Sequence, residues 1–200
     1  MSTIFFLLVL IFSVIVHEVA HGLAALSLGD PTAKYAGRLT LNPIKHIDIL
    51  GSIIVPLICA LLPGNLMFGW AKPVPVNPYN LKYGKWGDVI VSFAGPLSNI
   101  IIFLICGLSL RFFGDHIPQA TAAFLLMICI TNIVLAIYNL IPVSPLDGSH
   151  ILFAFLPERF QGIKKVMEAQ GFLFAIIFAL VLWQYFTPLI YWILALVIGS

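Results

Sequence analysis

Residues 119 to 141 contain no aspartate, glutamate, lysine or arginine, and neither do residues 4 to 16. About 20 apolar residues in a helix cross the roughly 30 Å hydrocarbon core of a bilayer. Comparable apolar runs occupy residues 4 to 28, 88 to 112, 119 to 141 and 171 to 198, the last carrying Pro188 as an expected kink. The surface of a water-soluble domain needs far more charge than this chain has. Hydrophobic residues make up 61% and charged residues 9%, against about 45–50% and about 25% in soluble proteins. The expected fold class is an all-α polytopic membrane protein with about 4–5 transmembrane helices, forming a single membrane-embedded domain over residues 1–200. The first run lacks a basic n-region and continues into histidines and a glutamate instead of a cleavage site, so it reads as a mature helix and not a signal peptide.

A further run, residues 49 to 62, is short for a span and contains Pro56. The distribution of basic residues bears on it. If it spans, Lys34, Arg38, Lys45 and Arg111 fall on one side and Lys72, Lys82, Lys85, Arg159, Lys164 and Lys165 on the other. If it is re-entrant, only Arg111 is separated from the rest, which is the bias the positive-inside rule favours. The expectation is therefore a re-entrant segment, most loops cytoplasmic, and residence in the cell membrane. The net charge of +2 resides mostly in the connections and gives no support to nucleic-acid binding. Cys59, Cys106 and Cys129 form no CxxC pair and read as small buried hydrophobes.

Chemistry is concentrated in His17, Glu18 and His21, which form HEVAH in the inner half of the first apolar run. Residues four apart share a helix face about 6 Å along the axis, so two imidazoles can reach one metal ion while the glutamate stands about 100° to the side. Elsewhere such a match carries little weight. Inside a bilayer, however, each ionisable group costs about 2.5–3.5 kcal/mol even on the lenient insertion scale, and a bound cation compensates. A zinc ion there would lower the pKa of its water to about 7, with Glu18 positioned to take the proton.

A catalytic zinc has three protein ligands and one open position. Asp147, in NLIPVSPLDGSH, lies in a polar break bounded by Pro142, Pro145 and Gly148, and in the re-entrant topology it reaches the same side as His21. His150, three residues on, is the alternative third ligand. Asn139, Asn99, His46 and His150 are the remaining candidates for contact with substrate. Each also has a structural reading. The asparagines could join helices through hydrogen bonds, and His46 could be an ordinary interfacial histidine. Gly95 and Pro96 read as permitting close helix approach and a kink, and Gly22, Ala24 and Ala25 as a small packing face.

HEVAH in the first helix and NLIPVSPLDG before the later apolar run, with LNPIKHID, GSIIVPLI and AGPLSN between them, resemble the site-2 protease family of intramembrane zinc metalloproteases. The resemblance implies one zinc per chain held by His17, His21 and Asp147, with Glu18 as catalytic base. It also implies a transmembrane protein substrate that unwinds before cleavage, as in regulated intramembrane proteolysis. The chain departs from larger relatives in having no PDZ-like or CBS domain and reads as a minimal catalytic core. Two other classes fit the composition: a zinc-binding membrane transporter, in which the glutamate beside the histidines would have no task, and a non-catalytic adaptor that binds helices.

Overall fold

The computed structural model describes residues 3–54, 71–177 and 183–199. Every regular element among them is helical. We number the helices α1 (Thr3–Ser27), α2 (Thr32–Tyr35), α3 (Lys85–Phe113), α4 (Gln119–Asn139), α5 (Asp147–Phe155), α6 (Gln161–Ile177) and α7 (Trp183–Ile198). Three are long and apolar enough to cross a membrane: Ile4–Ser27, Lys85–His116 and Gln119–Asn139. The chain is a membrane protein, and its surface follows from that. Phe5, Ile105, Phe112 and Tyr191 are more than half exposed, an apolar exterior that water would not tolerate on this scale but lipid does.

The run expected over 171 to 198 is instead helical from Gln161 to Ile177 and again from Trp183 to Ile198, residues 178–182 lying outside the described set. Hydropathy alone misses the first part because QGIKKVMEAQ forms helix through intrinsic propensity, without an apolar run.

α3 is the central element, packing against α1, α4, α5 and α7. Phe103, Cys129, Ile133, Ile190 and Leu194 make the core shared by α3, α4 and α7. Cys129 is fully buried and Cys106 only partly so, while Cys59 lies outside the described residues. On α1 the buried positions Val9, Ser13, His17, His21 and Ala25 recur every fourth residue, a single row along the helix. That row combines core residues with both motif histidines.

Most of the 49 to 62 run falls outside the described residues; Ile49–Ile54 is a π-helical turn. Its flanks are informative. The Lys72 N–H donates to the His46 carbonyl at 2.9 Å, and the Lys82 N–H to the Leu28 carbonyl at 2.8 Å. The chain therefore leaves and returns at one end of the bundle, and α1 ends where α3 begins.

Asp30 ties this end together. It is fully buried and accepts from the Thr32 N–H and hydroxyl, the Asn77 N–H at 2.7 Å and the Asn80 amide at 3.0 Å. Burial pushes its pKa up, but these hydrogen bonds outweigh burial and hold the carboxyl below its ordinary value. A carboxyl lowered on folding adds stability above its unfolded pKa of about 3.9 and loses that contribution as pH falls through the folded value. Asp30→Ala is thus expected to destabilise the protein by about 2–3 kcal/mol at neutral pH, through donors left unpaired. The deficit relative to wild type should shrink in thermal unfolding at about pH 3.

Candidate metal centre

His17 and His21 occupy consecutive turns of α1 on the buried row, 6% and 8% exposed. Asp147 is the first residue of α5, delivered by the turns that break the chain between α4 and α5. One ligand atom from each of the three side chains lies within 4.8 Å of the other two. The two Nε2 atoms are 3.0 Å apart, His17 Nε2 is 3.1 Å from Asp147 Oδ2, and His21 Nε2 is 3.3 Å from Asp147 Oδ1. Donors about 2.1 Å from a tetrahedral zinc lie on the order of 3.4 Å from one another. The observed spacings are close to that.

The hydrogen-bond partners of the two rings assign their protons. His21 Nδ1 lies 2.7 Å from the Val91 carbonyl; a carbonyl only accepts, so Nδ1 carries the proton and Nε2 of the neutral ring presents a lone pair. His17 Nδ1 lies 2.7 Å from Asn99 Oδ1 and is protonated for the same reason. Asp147 Oδ2 is buried and has no hydrogen-bond partner among the described residues, although it lies 3.1 Å from His17 Nε2; with the His17 proton on Nδ1, Nε2 of the neutral ring has none to give. Three groups thus converge with lone pairs toward one point. Nitrogen and carboxylate donors in this number suit zinc, with the outward ring nitrogens fixed by hydrogen bonds as metal-binding imidazoles require.

Gly95 of α3 makes the space. A Cβ there would sit 2.4 Å from His21 Nε2 and 2.6 Å from His17 Nε2. The close approach expected of Gly95 is therefore an approach to the histidines themselves. Gly148 plays a similar part at Asp147, since a Cβ there would lie 2.3 Å from the Leu140 carbonyl. The turn can fold against the start of α5 only if no side chain intervenes.

Glu18, about 100° around the helix from His17, faces the extended segment 71–77. Its Oε2 accepts from the Val74 N–H at 2.7 Å. That segment is fixed on both sides of Val74: Arg38 donates to the Lys72 and Pro73 carbonyls, and Asn77 donates to Asp30.

The other candidates are dispersed. Asn99 is fully buried behind His17, its amide donating to the Ser13 carbonyl and to Asn132 Oδ1. Its amide joins three helices through hydrogen bonds, the structural reading of this asparagine. His46 is 2% exposed, and its Nε2 donates to the Thr40 carbonyl. Asn139 donates to the Leu135 carbonyl one turn back on α4. His150 stands apart from the three-ligand cluster, with Nδ1 3.1 Å from Asp88 Oδ2. Sequence reasoning missed Ser13, Val74 and Asn132. Only Asn132 left a trace, as a polar residue inside the uncharged 119 to 141 run.

The description Peptidase family M50 matches residues 109–184. Over 189 residues the chain is 38% identical to "Putative zinc metalloprotease YwhC" of Bacillus subtilis (strain 168), covering 90% of this chain and 83% of that protein. It is 29% identical over 185 residues to "Putative zinc metalloprotease Rip2" of Mycolicibacterium smegmatis, covering 90% of this chain and 69% of the relative. A shorter match, 32% over 88 residues, is to "Zinc metalloprotease MJ0392" of Methanocaldococcus jannaschii, covering 44% of this chain and 25% of that protein. No solved structure matches.

Proposed function

The chain belongs to peptidase family M50, the site-2 protease family of zinc metalloproteases, and from that premise we propose that it hydrolyses peptide bonds in or near transmembrane segments of membrane proteins, in regulated intramembrane proteolysis. His17, His21 and Asp147 hold the zinc and Glu18 is the catalytic base. The observation that carries this reading is the convergence of His17, His21 and Asp147 within 4.8 Å of one another, with Asp147 Oδ2 buried and without a hydrogen-bond partner among the described residues.

When bound, zinc supplies a Lewis acid for the scissile carbonyl and acidifies a water molecule. The protein does the rest. The Val74 N–H occupies Glu18 Oε2, so Oε1 is assigned to take the proton from the attacking water and pass it to the departing amide nitrogen. A peptide bond within a helix is shielded by its own hydrogen bonds. The irregular backbone from Leu140 to Leu146 offers substrate an unwound stretch beside Asp147.

Most connections face the cytoplasm in this proposal, in the cell membrane, on the strength of the basic-residue bias. The three ligands and the Lys72 and Lys82 hydrogen bonds at one end of the bundle agree with that arrangement.

The test is cleavage of a panel of single-span proteins by detergent-purified enzyme, with and without a zinc chelator. Chelation should reduce cleavage to background, and added zinc should restore it. Cleavage that persists after complete zinc removal would overturn the proposal.

A further inference from the structure

Asn132 of α4 makes none of its hydrogen bonds to the three candidate ligands, yet it is fully buried and bonded to Asn99, the partner of His17. Its Nδ2 donates to the Ile128 carbonyl at 2.9 Å and to Ser13 Oγ at 3.0 Å. Because the Ile128 carbonyl can only accept, the amide orientation of Asn132 is fixed and Oδ1 must face Asn99. There it accepts from Asn99 Nδ2 at 2.8 Å. Asn99 Nδ2 also reaches the Ser13 carbonyl, at the longer distance of 3.3 Å. Both bonds orient Asn99 so that Oδ1 meets His17 Nδ1 at 2.7 Å.

We infer that Asn132 is a positioning residue for the zinc: acting through Asn99, it locks His17 in the tautomer that leaves Nε2 free to bind metal. The inference rests on the assignment of His17 as a zinc ligand. Its physical content is a chain of one-way hydrogen bonds running from a backbone carbonyl of α4, across α3, to a ring nitrogen of α1. If the Asn99 amide reversed, its NH₂ would face His17 Nδ1 and force that nitrogen to accept. The ring proton would move to Nε2, which could no longer donate to a cation. Reversal is opposed because Asn99 Oδ1 would then confront two acceptors, Asn132 Oδ1 and the Ser13 carbonyl. Removing Asn132 deletes the shorter of the two bonds that prevent this. Asn99 and Asn132 are both fully buried. His21 needs no such chain, since the Val91 carbonyl fixes its tautomer directly.

The experiment measures zinc affinity by chelator competition on purified protein, for wild type, Asn132→Ala and Asn132→Asp, alongside thermal unfolding of the zinc-free forms. Asn132→Ala should weaken zinc binding by about 10–100-fold, the usual effect of losing an outer-shell partner. Asn132→Asp, neutral when buried, keeps an acceptor for Asn99 and a donor for Ile128, and should bind within about threefold of wild type. A folded Asn132→Ala protein with wild-type affinity would overturn the inference, since a purely structural asparagine would lower stability without moving the zinc constant. Should Asn132→Ala not fold, ¹⁵N spectra of His17 in zinc-free wild type decide: a proton on Nδ1 supports the inference and one on Nε2 overturns it. Wild-type protein that binds no zinc would remove the parent assignment as well, a failure visible without any variant.

Discussion

Glu18→Gln is expected to abolish peptide cleavage while leaving zinc bound. The substitution keeps the side-chain length and an oxygen for the Val74 N–H, which now meets Glu18 Oε2 at 2.7 Å, so the geometry of α1 and the 71–77 segment is retained. It removes the property that the proposed role requires of this residue, the capacity to accept a proton and return it. Positioned acid–base groups contribute about 10²–10⁴-fold, and a loss of at least that size is expected in turnover of a single-span substrate. Zinc stoichiometry by elemental analysis should remain that of wild type, because Glu18 is not among the three converging donors. Retained cleavage in this variant would sink the assignment of Glu18, and loss of zinc would move Glu18 from base to ligand.

Gly95→Ala should have an effect of similar size by the opposite route. The added methyl would lie 2.4 Å from His21 Nε2 and 2.6 Å from His17 Nε2, inside van der Waals contact of both donors at once. Neither ring can swing aside without breaking its Nδ1 hydrogen bond to Val91 or Asn99. The helix itself gains from alanine by about 1 kcal/mol in propensity, against a packing cost of about 1–3 kcal/mol. The protein should therefore fold. Zinc affinity is expected to fall on the order of 100-fold or more, with cleavage at background. Full zinc occupancy and wild-type turnover in this variant would show that the three donors do not form the metal centre.

The two variants separate parts of the site that were unequally visible in the sequence. Glu18 could be named from HEVAH because the spacing of a helix is local. Two residues four apart share a face whatever surrounds them, and the apolar setting indicated that the polar trio required compensation. Asp147 was nameable for a related reason, standing in a polar break after an uncharged run. The demand on Gly95 was not legible. AGPLSN announced a close approach, but what approaches is decided by how α3 lies against α1. Asn99 was legible only as a choice between a hydrogen bond joining helices and a substrate contact. Its amide is wholly used by His17, Ser13 and Asn132, and only the packed structure reveals that it meets His17 on the side of the ring away from Asp147.

By itself the sequence determined that this chain is an all-helical membrane protein, where its main apolar helices run and which residues could carry metal chemistry, because hydropathy and helical periodicity are properties of short stretches. The tertiary structure decided which of the candidates meet. It set Asp147 against two histidines more than a hundred residues away, left His150 outside, and fixed the protons on both rings through Val91 and Asn99. Those outcomes depend on contacts between helices, and a hydrogen bond's direction is settled only when both of its partners are in place.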